Sequence, residues 1–244
     1  MTLYNEEAAQ PAHRRAFSRL LVISQCTGKK AVDGPKLTRD DFADPDRLAQ
    51  REHELAWVRL PAIDMYTGPQ HVHLKHGVET LRREFGHDFL DLRIVSAGYG
   101  LIKADRPICP YDVTFNDMGK VKAREWARHL GVPSDVRAAL EGVEVAIFLL
   151  GSSYLDAIDV PIDARKGQRL IFLAKRSESS RLAGVGVVTV PAGKSETTKY
   201  RAGSVALKGK MFELFAEALA SRRELLGEVK ADDSPATFQR ALGL

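Results

Sequence analysis

The stretch Arg93-Ile94-Val95-Ser96-Ala97-Gly98-Tyr99-Gly100-Leu101-Ile102-Lys103-Ala104-Asp105-Arg106-Pro107-Ile108-Cys109-Pro110-Tyr111-Asp112 runs from an apolar strand into a loop of special residues. Leu92–Val95 reads as a buried strand. The small residues Ser96–Gly100 end it, and they let a backbone or a ligand come close. Such a loop at the end of a buried strand is where an α/β protein places its chemistry. Two other stretches repeat the pattern: Leu20–Ile23 leads into Ser24–Lys30, and Val145–Leu150 leads into Gly151–Tyr154. Three apolar strands feeding three polar loops predict one site at one edge of one sheet. The fold expected is α/β: a single compact domain with a central, mostly parallel sheet flanked by helices. Residues 17–227 would form it, with a flexible arm at 1–16 and a weakly ordered tail at 228–244.

At 244 residues the chain can bury a full core, and 44% hydrophobic with 28% charged residues is ordinary for a globular protein. No apolar run approaches the roughly 20 residues that cross a bilayer. Residues 1–15 are polar and carry no signal-like apolar stretch, and two cysteines make no disulfide framework. The expectation is a cytoplasmic protein with no membrane contact, no cofactor and no obligate protein partner.

Charge is unevenly placed. Between Arg165 and Lys210 there are 11 Lys/Arg against the two acids Glu178 and Glu196, so this segment of +9 in a chain of +4 leaves −5 for the rest. That pattern suits a surface for a polyanion such as DNA, or a solvated face. Within it, residues 191–204 read as a loop: either a surface excursion, or a clamp with cations for phosphates and Tyr200 for stacking.

Gly28-Lys29-Lys30 invites comparison with a phosphate loop, but the G-x-x-x-x-G-K-[ST] pattern is absent, which argues against a nucleoside triphosphatase. Residues 70–85 read as a helix carrying His71, His73 and His76. His73 and His76 share a face; a metal pair there, or convergence of His71, His73 and His76 with Cys26, stands against the ordinary reading of amphipathic histidines on a helix, and no metal is expected.

The motifs Ser24-x-Cys26-x-x-Lys29-Lys30, Met65-Tyr66-Thr67-Gly68, Ser96-Ala97-x-Tyr99-Gly100-Leu101-Ile102 and Pro110-Tyr111-Asp112-x-Thr114 with Asn116-Asp117-Met118 together resemble a bacterial, archaeal and phage family. That family is related to the peroxide-stress protein YaaA, and the first motif also resembles one in archaeosine synthase. The resemblance covers roughly residues 20–173. It implies a YaaA-like or glycosylase-like α/β fold and action on nucleic acids or modified bases. The chain is further similar to phage-defence DNA glycosylases that remove glucosylated 5-hydroxymethylcytosine from phage DNA.

Glycosidic cleavage needs a carboxylate for the oxocarbenium-like sugar or for the attacking water, and a pocket for the flipped nucleotide. Asp64 and Asp112 are the expected catalytic carboxylates. Ser24, Gln25, Cys26, Tyr66, Gly68, Ser96, Tyr99, Tyr111, Ser152, Ser153 and Tyr154 are the expected substrate-binding set. Lys29, Lys30, Lys194, Lys199, Arg201 and Lys208 are expected on the DNA backbone. Each alone also has an ordinary reading: an Asp capping a turn, a Tyr packing its ring over a loop, Cys26 as a small buried residue. Two other functions stay open: a non-enzymatic DNA-binding stress protein, and a glycosidase or transferase for free modified nucleotides.

Overall fold

Leu20–Ile23, Val145–Leu149 and Leu170–Leu173 are apolar at every position, which suits strands covered on both faces, and all of them are buried. The computed structural model describes residues 20–243; the expected arm at 1–16 lies outside the described residues. In chain order the strands are β1 (Leu20–Gln25), β2 (Leu60–Pro61), β3 (Leu90–Ser96), β4 (Gly100–Lys103), β5 (Pro107–Ile108), β6 (Val145–Leu149), β7 (Arg169–Ala174) and β8 (Val187–Pro191). The helices are α1 (Arg39–Ala43), α2 (Pro45–Glu54), α3 (Ala62–Met65), α4 (Pro69–Phe85), α5 (Lys120–His129), α6 (Val132–Ala139), α7 (Ser152–Ala157), α8 (Ser179–Leu182), α9 (Lys194–Lys199), α10 (Leu207–Ser221), α11 (Leu225–Ala231) and α12 (Ala236–Ala241).

Six strands form the main sheet in the order β4-β3-β1-β6-β7-β8. All neighbours are parallel except β4, which turns back antiparallel on β3. Counting only the parallel strands in sequence, the order is 2-1-3-4-5, a doubly wound arrangement. Its winding reverses between β1 and β6, where such sheets open a crevice beyond the strand ends.

Side chains alternate between two cores. Leu21, Ile23, Ala146, Phe148, Leu170 and Phe172 face a layer that includes α5, α6, α7 and α8. Leu20, Val22, Val145, Ile147, Ile171 and Leu173 face α4, α10, α11 and α12. α4 and α10 approach closely because α10 carries Gly209: a Cβ there would come within 2.1 Å of the Gln70 carbonyl oxygen.

Two expectations change. Leu101–Lys103, expected within a loop, is part of the edge strand β4. The turn into it requires Gly100, whose φ is +74 and whose missing Cβ would meet the Leu130 carbonyl at 2.8 Å. The tail expected at 228–244 is folded as far as it is described. Val229, Phe238 and Leu242 are buried, and Phe238 stacks on Phe215 at 4.5 Å. Its apolar residues are few but fall on one face of two short helices.

Candidate functional site

Past the C-terminal ends of β1, β6, β7 and β8 lies a cleft of about 930 Å³. Gln25 ends β1, and its Oε1 accepts the Gly151 N–H at 2.6 Å, which ties the end of β1 to the turn after β6. Gln70, in the first turn of α4, donates its Nε2 to Ser24 Oγ at 3.2 Å and to the Leu149 carbonyl at 3.0 Å. Pro69 at the first helical position starts α4 so that Gln70 points back to the sheet.

Lys208 enters the cleft from the start of α10, and its Nζ donates to the Leu150 carbonyl. Burial pulls its pKa down to about 8; Glu178 opposes the shift and Lys175 adds to it. Lys175, Lys194 and Arg201 line the same cleft as exposed cations. Among the described residues, Glu178 is the one carboxylate of the lining. Its Oε1 accepts from Ser152 Oγ at 2.5 Å, and its Oε2 pairs with Arg181 at 2.7 Å. The cleft thus combines four cations, one fixed carboxylate and several neutral polar groups, a lining suited to an anionic ligand of nucleotide size.

Of the residues expected from the sequence, Gln25, Ser152, Lys194, Arg201 and Lys208 line this cleft. The others lie elsewhere. Asp64 is exposed on α3 and paired with Lys75 at 2.6 Å. Asp112 is exposed near Lys30 and does not reach the cleft lining. Neither is the carboxylate of this site: α3, which carries Asp64, is tied past the end of β4 by the Ile63 N–H donating to the Ala104 carbonyl, and the Asp112 N–H donates to the Leu37 carbonyl.

The tyrosines are buried rather than available for stacking. Tyr66 and Tyr111 share a hydroxyl contact of 2.8 Å, and Ser96 Oγ donates to Tyr111 at 2.8 Å. Cys26 Sγ lies 3.1 Å from the Tyr154 hydroxyl, which is 3.4 Å from Thr114 Oγ1. Burial pushes the phenol pKa values of Tyr66, Tyr111 and Tyr154 up, so they stay neutral. Tyr99 spans Glu52 Oε1 at 2.9 Å and the Cys109 N–H at 3.1 Å. Tyr200 is buried against the second core.

Small residues expected to admit a ligand admit the protein instead. A Cβ on Gly98 would sit 2.5 Å from the Phe42 ring, and one on Gly68 would sit 2.7 Å from Thr27. Ser24 is wholly buried beneath Gln70. Ser153, half-buried on α7, is not part of the lining.

The remaining expected cations do not line the cleft. Lys30 folds over the Tyr111 ring at 4.3 Å and donates to the Thr27 carbonyl at 2.8 Å. Burial lowers its pKa, while Cys26 and Asp112 oppose the shift. Lys29 is exposed, and Lys199 lies 5.6 Å over Tyr200.

Gln70, Glu178 and Lys175 belong to the cleft, although no motif marks them in the sequence. Lys175 and Glu178 follow β7 closely, so the rule that strand ends carry chemistry reaches them once Arg169–Ala174 counts as a central strand. Gln70 gives no comparable local signal. The expected loop at 191–204 contains α9, whose start is held by Glu196 accepting the Gly193 N–H at 2.8 Å.

The class defined by fold and site is a doubly wound α/β protein with a basic cleft at its switch point. The chain belongs to a family of unknown function (DUF6884), whose sequence model matches residues 54–183. No curated protein matches the chain. No solved structure matches it. The matched stretch holds Gln70, Ser152, Lys175 and Glu178; Gln25, Lys194, Arg201 and Lys208 lie outside it.

Proposed function

We propose that the cleft receives one nucleotide of DNA and that the protein is a DNA glycosylase for a modified base, with Glu178 as its carboxylate. The observation that carries this reading is the lining: four cations and one hydrogen-bonded carboxylate around about 930 Å³ at the sheet's switch point. The motif resemblance to glycosylases of glucosylated 5-hydroxymethylcytosine supplies the reaction and an anti-phage role. Lys194 and Arg201 hold flanking phosphates. Gln25 and Gln70 border the space for the base. Glu178, held by Ser152, stabilises positive charge on the sugar as the C1′–N bond breaks and the electrons leave with the base; water then adds at C1′, and the proton it loses neutralises the departed base.

The test incubates purified protein with unmodified, 5-hydroxymethylcytosine and glucosylated DNA, followed by alkali, which cuts at abasic sites. Cleavage of a modified DNA only, lost in Glu178→Gln and kept in Asp64→Ala, is the expected result. No alkali-labile site in any DNA, with a mobility shift retained, leaves a non-enzymatic DNA-binding protein.

A second reading, a glycosidase for free modified nucleotides, is favoured by one fact: Lys29, Lys30 and Lys199 do not line the cleft. Release of the base from a free modified nucleotide, with none from modified DNA, is the result that favours this reading over the first.

A further inference from the structure

His73 and His76 lie three residues apart on α4, and the fold brings a carboxylate from another helix against both. Glu213 of α10 packs against them. Its Oε2 lies 2.7 Å from His73 Nδ1, and its Oε1 lies 3.2 Å from His76 Nδ1. One ligand atom from each of the three residues lies within 4.8 Å of the others. Among the described residues, the further partner of this carboxylate is Lys210, whose Nζ is 2.9 Å from Oε2.

The geometry points to a three-ligand site for a divalent transition-metal ion of the zinc class, formed by His73, His76 and Glu213. Two imidazoles and a carboxylate are donors that zinc takes, with a fourth position left for water. In a tetrahedral zinc site, bonds of about 2.0–2.1 Å put ligand atoms about 3.3 Å apart. The 2.7 and 3.2 Å contacts, one to each oxygen of Glu213, are shorter than that value, so the ligand atoms part slightly to admit an ion, and both imidazoles are exposed enough to turn toward it. Lys210 is the competing cation: it neutralises Glu213 now and must swing toward solvent when metal binds. The ion joins α4 to α10, the two helices whose first turns bring Gln70 and Lys208 to the cleft. The site itself lies further along both helices, outside the cleft lining, and is independent of the glycosylase reading.

The experiment is calorimetric titration of the tag-free full chain with zinc chloride, with thermal melts alongside. One saturable zinc per chain and a raised Tm are expected. His73→Gln and Glu213→Gln each weaken uptake at least tenfold and abolish the Tm rise. Lys210→Met, which removes the competing charge and none of the ligands, tightens uptake several-fold. The absence of saturable uptake, uptake unchanged in His73→Gln and Glu213→Gln, or no tightening in Lys210→Met overturns the site.

Discussion

Gln25 Oε1 accepts the backbone N–H of Gly151 at 2.6 Å, so a side chain on one central strand fixes the turn that follows its neighbour. The two strands, β1 and β6, are those between which the winding reverses. Replacing Gln25 by Ala leaves the Gly151 N–H to water and loosens this edge. The expected cost is about 1 kcal/mol by urea unfolding, with a larger proportional loss in nucleotide or DNA affinity measured by fluorescence titration.

Lys208 makes the site sensitive to pH. Its pKa of about 8 means that its charge is present at neutral pH and is lost as pH rises through 8. Affinity for a phosphate-bearing ligand should fall between pH 7 and 9, and Lys208→Met should flatten that part of the profile. The stability effect has the opposite sense. The folded pKa is below the usual lysine value of 10.5, so the unfolded chain binds more protons between about 8 and 10.5. Stability of the wild type relative to Lys208→Met should therefore rise across that window, as measured by denaturant melts at stepped pH.

Tyr111 is the hub of the buried hydroxyl network. Tyr111→Phe leaves Ser96 Oγ and the Tyr66 hydroxyl without their 2.8 Å partner in a dry interior. Unsatisfied buried hydroxyls cost about 1–3 kcal/mol, so a drop of that order in unfolding free energy is expected. Because Tyr111 does not line the cleft, ligand affinity of the folded fraction should stay within twofold of wild type.

Gly209→Ala tests the crossing of α4 and α10. A Cβ 2.1 Å from the Gln70 carbonyl oxygen cannot be accommodated unless a helix shifts. Overpacking of this kind costs about 1–3 kcal/mol. The displaced helix also carries Lys208, so affinity for an anionic ligand should fall together with Tm.

Much of this architecture is legible in the sequence because continuous apolar runs and Gly/Ser loops are local signals. β1, β3 and β6 and the helix around 69–85 fall near where the sequence places them. Short elements were less legible: β2, β5 and α9 span 2, 2 and 6 residues and carry little pattern. The site was half legible. Gln25 and Ser152 stand at the predicted edge and Lys194, Arg201 and Lys208 in the basic segment, whereas Asp64 and Asp112 stand out in the sequence for their company in Pro/Gly loops. Whether such a carboxylate faces a cleft or solvent depends on where the loop lands after folding. Glu178 shows the converse: an ordinary residue in sequence becomes the cleft's carboxylate through contacts with Ser152 and Arg181.

The pairing of α4 with α10 has a consequence for how the chain is made. Leu74, Val78 and Leu81 on α4 are covered by a layer that includes Met211, Phe212 and Phe215 of α10, which leave the ribosome more than a hundred residues later. At about 5–20 residues per second the delay is on the order of ten seconds. During that time the nascent sheet presents an apolar face with no cover, a target for chaperones and a site of premature association. Slowing translation between α4 and α10 should therefore lower the yield of native protein, whereas slowing it after α12 should have little effect.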